Sequence, residues 1–136
     1  MPGPRVFNVE DVDALLPRLE SVFERMDAAR ARLRTLSIRV SALELIWGKA
    51  VHDADNPDHG ELESHIAEMK QAEEDVEALT KKVARMGGHV KGVEPGLVDF
   101  YGVREGRLVF WCWTRGESRV EHWHHLDQGF AHRQHV

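Results

Sequence analysis

With one cysteine, Cys112, the chain forms no intrachain disulfide, and it has no CxxC pair. Nor does any apolar run approach the roughly 20 residues that cross a bilayer. The opening MPGPRVFNVEDVDALL has no apolar signal-peptide core and is acidic where such a segment would be basic and apolar. No glycine-rich phosphate loop, nucleophile elbow, HExxH, or dinucleotide or kinase motif is present. Positive charge is also short, since the formal net charge is -5, which argues against a dedicated binder of nucleic acid or acidic membranes. These absences predict a cytoplasmic protein without a membrane span.

The 136 residues suffice for one domain, and hydrophobic and charged contents of 42% and 30% are those of a folded chain. Two regions differ in character: residues 8–87 read as a helical hairpin with a loop over 48–60, and 88–136 as a β-meander with a C-terminal tail.

Asn8 followed by Glu10 and Asp11 marks a helix start. Pro17 predicts a kink or a second start. Leu15, Leu19, Val22, Met26, Ala29, Leu33, Leu36, Val40, Leu43 and Trp47 then recur in steps of three and four, a coiled-coil-like seam ending at Gly48. A second seam runs Leu62, His65, Met69, Ala72, Val76, Leu79, Val83 and Met86, and Gly87-Gly88 stops it. Two such seams joined by a short loop predict an antiparallel pair. Setting Trp47 level with Leu62 brings Asp75 beside Arg34, so the arginine-rich run RMDAARARLR faces an acidic stretch of its own partner helix.

Beyond Gly88 the period changes. His89–Val93, Leu97–Tyr101, Arg107–Thr114 and Arg119–His124 read as short antiparallel strands separated by glycine-containing turns. The fold class is therefore α+β, a long two-helix hairpin packed on a small C-terminal antiparallel sheet. A two-residue loop near Gly116 would put His122 and His124 with Trp111 and Trp113; a three-residue loop would put them with Phe110 and Cys112. Both faces of the central strand are largely apolar, so one needs a cover other than the hairpin: the tail, or a second copy in a homodimer.

The sharpest candidate for chemistry is the group His122, His124, His125, Asp127, Glu117, Glu121 and Asp99. Alternate strand residues share a face, so His122 and His124 could offer two imidazoles to a divalent transition metal, with Asp99 or Glu117 as a carboxylate ligand. The bland alternative is a histidine packed beside tryptophan with its N–H satisfied locally. The loop set His52, Asp53, Asp55, Asn56, Asp58 and His59 begins like a calcium loop, but Pro57 stands at a ligand position and no glycine sits at the sixth. Cys112, between two tryptophans, reads as a buried, unreactive thiol. Arg133 would pair with Asp127 or Asp99, or clamp an anionic ligand.

The order GLVDF, GRLVFWCW, GE, WH and LDQGFAHRQ, behind the hairpin opening RVFNVEDVDALLPRL, resembles a prokaryotic family catalogued as domain of unknown function 2203. The resemblance covers nearly the whole chain. Its matching positions are Asp99, Phe100, Gly106, Cys112, Trp113, Gly116, Glu117, Trp123, His124, Gly129, Phe130 and Arg133. His125, where the family often has glutamate, and the AHRQHV ending depart from it, so His125, His132 and His135 are poor choices for a shared site. The resemblance implies no activity, but it directs attention to Asp99, Glu117, His124 and Arg133.

Three functions follow as expectations, in this order. The first is a non-enzymatic interaction or scaffold protein acting on itself or a protein partner through the hairpin or the aromatic sheet face. The second is a metal- or small-ligand-binding protein using His124 with Asp99 or Glu117. The third is a nucleic-acid binder using the arginine-rich helix.

Overall fold

A computed structural model describes residues 5–136. Among these the elements run α1 (Val9–Trp47), a short 3-10 turn (Gly48–His52), α2 (His59–Arg85), then β1 (His89–Val93), β2 (Gly96–Arg104), β3 (Arg107–Thr114), β4 (His122–His125) and β5 (Gln134–His135). The strands form one antiparallel sheet in chain order. No described helix is long and apolar enough to cross a membrane. The described residues group into two compact units, one of residues 5–23 with 80–136, the other of residues 24–79.

In the first unit α1 starts at a reciprocal cap. Asn8 Oδ1 accepts from the Asp11 N–H at 2.7 Å, and Asp11 Oδ2 accepts from the Asn8 N–H at 3.3 Å. The kink or restart expected at Pro17 does not interrupt the helix. Pro17 lies on the exposed side, while Val12, Leu16, Leu19, Val22 and Phe23 are buried on the other. Each such side chain contributes about 1.5–3 kcal/mol, enough together to offset the roughly 3 kcal/mol of an interior proline. The buried stripe uses Leu16 where the seam predicted Leu15, which is only half-buried.

The β2–β3 register pairs Val98 with Trp113, Phe100 with Trp111 and Gly102 with Val109, so these residues share a face. That face meets the helices. Phe23 packs on Trp113 with ring centroids 6.0 Å apart, and Phe7 meets Phe100 edge-on at 5.2 Å. Phe7 is held twice, its N–H donating to the Tyr101 carbonyl and its own carbonyl accepting from Trp111 Nε1, each at 2.8 Å. Farther along, Val120 N–H donates to Asp13 Oδ1 at 2.7 Å, and Glu20 accepts from Arg115 and from the Gly116 N–H.

In the second unit Leu62 packs with Leu43 and Val51, one turn earlier on α1 than the expected Trp47. Trp47 instead stays partly exposed and donates Nε1–H to Asp58 at 2.8 Å. The charge pairing shifts accordingly: Arg32 faces Glu68 at 3.6 Å, and Asp75 accepts from Gln71 rather than meeting Arg34. The 3-10 turn causes this, because it folds Val51 back into the apolar cluster.

Gly102 has no room for a side chain, since a Cβ there would overlap the Trp111 indole. Gly102→Ala is expected to cost about 1–3 kcal/mol in urea denaturation. Gly60→Ala, where a Cβ meets open space, is expected to be neutral or to gain up to about 1 kcal/mol.

Candidate functional site

The other face of the sheet carries the site. Two residues, Glu105 and Gly106, turn β2 into β3, both with positive φ (52° and 76°). That register sets Asp99 opposite Cys112, and β4 sets His122 opposite Cys112 and His124 opposite Phe110. The β3–β4 connection, Arg115–Glu121, has neither two residues nor three, but its odd length gives the parity of the three-residue alternative. His122 and His124 therefore share the Phe110 and Cys112 face.

Asp99, Cys112 and His124 are 3%, 2% and 2% exposed, among the most buried polar groups described. His124 Nε2 stands 2.9 Å from Asp99 Oδ2, and its Nδ1 lies 2.8 Å from the His125 carbonyl. A carbonyl only accepts, so Nδ1 carries a proton. The Nε2–Oδ2 bond then needs a proton of its own, held between a buried imidazole and a buried carboxylate. The Cys112 thiol completes the group, bonded to Asp99. Burial first, then the Asp99 charge, push the thiol up to about 12, while Arg133 opposes this by charge and hydrogen bonding. A thiol so placed stays protonated at neutral pH and is a poor nucleophile, as the sequence predicted. One ligand atom from each of the three lies within 4.8 Å of the other two.

A pocket of about 140 Å³ opens beside this group, walled by Leu97, Phe110, Leu126 and Phe130 with Lys91 at its edge. Leu126 and Phe130 belong to the tail, which therefore supplies part of this face's cover.

The other predicted residues gather separately. Glu117 Oε1 accepts from the Thr114 N–H at 2.6 Å, and its Oε2 lies 3.2 Å from His122 Nδ1 and 3.6 Å from Arg133. The His122 contact is not a hydrogen bond. Arg133 also donates to Thr114 Oγ1 at 3.0 Å. It pairs with neither Asp127 nor Asp99, the partners expected of it, because Asp99 is taken by His124. His122 and His124 thus serve different carboxylates rather than one shared position, and Glu117, Glu121 and His122 form their own group.

The loop candidates satisfy themselves locally. Asn56 Oδ1 accepts from the Asp58 N–H, and His59 Nδ1–H donates to the Val51 carbonyl. His65 is buried on its seam beside Glu61. The residue that sequence reasoning left out of the site is Cys112. Counting outward from the Glu105-Gly106 turn pairs it with Asp99, which was the available signal.

The molecule is thus an α+β protein with a buried carboxylate, thiol and imidazole facing a small pocket. Residues 5–136 match the model of a family described as an uncharacterized conserved protein, DUF2203, and the chain belongs to that family. Neither the curated proteins nor the solved structures contain a match to it.

Replacing Asp99 by alanine strands the Nε2–H of His124 and the thiol, and is expected to cost about 3–5 kcal/mol in chemical denaturation. Asp99→Asn is expected to cost less than about 2 kcal/mol, because the amide donates to the neutral imidazole and still accepts from the thiol. Equal losses in the two variants would mean that charge, rather than the hydrogen bonds, holds the group.

Proposed function

We propose that the chain is a metal-binding protein whose ion is held by Asp99, Cys112 and His124. The observation that carries this reading is the convergence of three chemically different ligand atoms within 4.8 Å in a buried cluster. A thiolate, an imidazole and a carboxylate together suit zinc or a neighbouring divalent transition metal. The bond from Nδ1 to the His125 carbonyl supports it further, because ligating histidines are commonly oriented through the nitrogen that does not bind. The adjoining pocket offers space for a water or small ligand beside the three.

Binding would displace the thiol proton and the proton shared by Asp99 and His124, so affinity rises with pH. Glu117 and Arg133, expected in the ligand set from sequence, serve in this reading to hold the tail against the sheet.

Protein purified without chelator is expected to carry near-stoichiometric metal by elemental mass spectrometry. Cobalt(II) titration is expected to give a thiolate-to-metal absorption band. Cys112→Ser should abolish the band, and His124→Ala should weaken binding by roughly 100-fold or more. A wild-type protein that takes up neither zinc nor cobalt, or a cobalt band that survives Cys112→Ser, would sink the reading.

The interaction reading draws on a separate observation. Ile38, Leu45 and Ile46 on α1 are 70%, 88% and 70% exposed, an apolar stripe at helical spacing. In this reading a second copy of the chain covers it. Leu45→Glu with Ile46→Glu is expected to turn a dimer into a monomer in sedimentation velocity. A wild-type protein that is monomeric at every concentration would remove it.

A further inference from the structure

A second pocket, of about 550 Å³, lies on the helix-facing side of the sheet, and it is lined by Arg104, Glu105, Arg107, Trp123, His125 and Gln134 with Val109. We infer that it binds an oxyanion, the phosphate group of a small phosphate ester, independently of any metal on the opposite face.

The first observation is a like-charge pair. The β2–β3 register sets Arg104 directly opposite Arg107, and like charges in that position repel. Glu105 between them offsets one charge, leaving one formal positive charge before His125 is counted. An anion seated between the guanidiniums would relieve the repulsion and accept from both.

The second observation is an unmet donor. Trp123 is 8% exposed, and its indole N–H has no acceptor among the described residues. Buried donors of this kind call for an explanation, and a bound acceptor is one. The same parity that sends His124 to the other face sends Trp123 and His125 to this one, opposite Trp111 and Val109. Gln134 on β5 pairs with Trp123 and adds an amide. Arg104 already lies over the Trp123 ring at 4.8 Å, and His125 meets that ring edge-on at 5.0 Å.

The third observation is the turn. Glu105 has φ 52°, where asparagine, aspartate or glycine is the usual occupant. Strained non-glycine residues of this sort cluster at ligand sites. The pocket exceeds the size of a bare phosphate, so an ester with an organic body fits it. The two arginines, which bring the charge, and Trp123, which brings the unmet donor, carry the site.

The test is a titration of the full-length protein with inorganic phosphate and with glycerol 3-phosphate, followed through the Trp123 indole N–H resonance and assigned with Trp123→Phe. Potassium chloride at matched ionic strength serves as the blank. A saturable shift, weakened at least tenfold by Arg107→Ala and by Arg104→Ala with Arg107→Ala, is expected. Tighter binding of the ester than of inorganic phosphate is expected, and equal binding of the two would overturn the assignment to a phosphate ester. Arg107 is exposed at the turn, so its single variant should fold normally, as an unchanged Tm would verify. No shift, a shift equal to that with chloride, or one unaltered in Arg107→Ala would overturn the inference.

Discussion

The alternation of side chains along β2, β3 and β4 is the constraint on which the rest of this structure depends. Once Glu105 and Gly106 fix the hairpin, the parity of every residue from Leu97 to Thr114 is set. Phe100, Trp111 and Trp113 then fall toward the helices, and Asp99, Phe110 and Cys112 fall away from them. The odd-length β3–β4 connection extends the same parity to β4, which places His124 beside Asp99. A slip of one residue would bury the carboxylate among Phe7, Phe23 and Trp113, with no acceptor or donor to match it. Packing of the aromatic face and assembly of the polar group are therefore one requirement met once.

Most of the fold was legible because its signals are local. Asn8 with Asp11, the three-and-four spacing of apolar residues, Gly87-Gly88 and Glu105-Gly106 each specify their own backbone geometry within a few residues. Pro17 misled for the same reason: its local cost is real, but it falls on the exposed side of a helix whose other side is deeply buried. The helix register was harder to read. Both seams are regular enough to slide by a turn, and the 3-10 segment that places Val51 against Leu62 has no strong sequence signature.

At the candidate site, Asp99 and His124 were legible as residues, but their mutual pairing was not. The metal reading from sequence joined His122 to His124 because they share a face. Sharing a face does not bring two side chains to one point, and each histidine found its nearest carboxylate instead. Cys112 was read correctly as buried, yet burial beside Asp99 and His124 is also what makes it a ligand candidate. Arg133 lies 19 residues from its acceptor Thr114, and no local pattern announces a contact set by the path of the tail.

The grouping of the chain bears on the order in which it becomes foldable during synthesis. The unit of residues 24–79 is continuous in sequence, so all its contacts are available before the first strand is made. The sheet unit is not: residues up to Phe23 precede that insertion, and their partners follow it. Leu16, Leu19 and Phe23 therefore emerge long before Val98, Phe100 and Trp113 exist to cover them. A chain growing from its N-terminus completes its middle first and its two ends together.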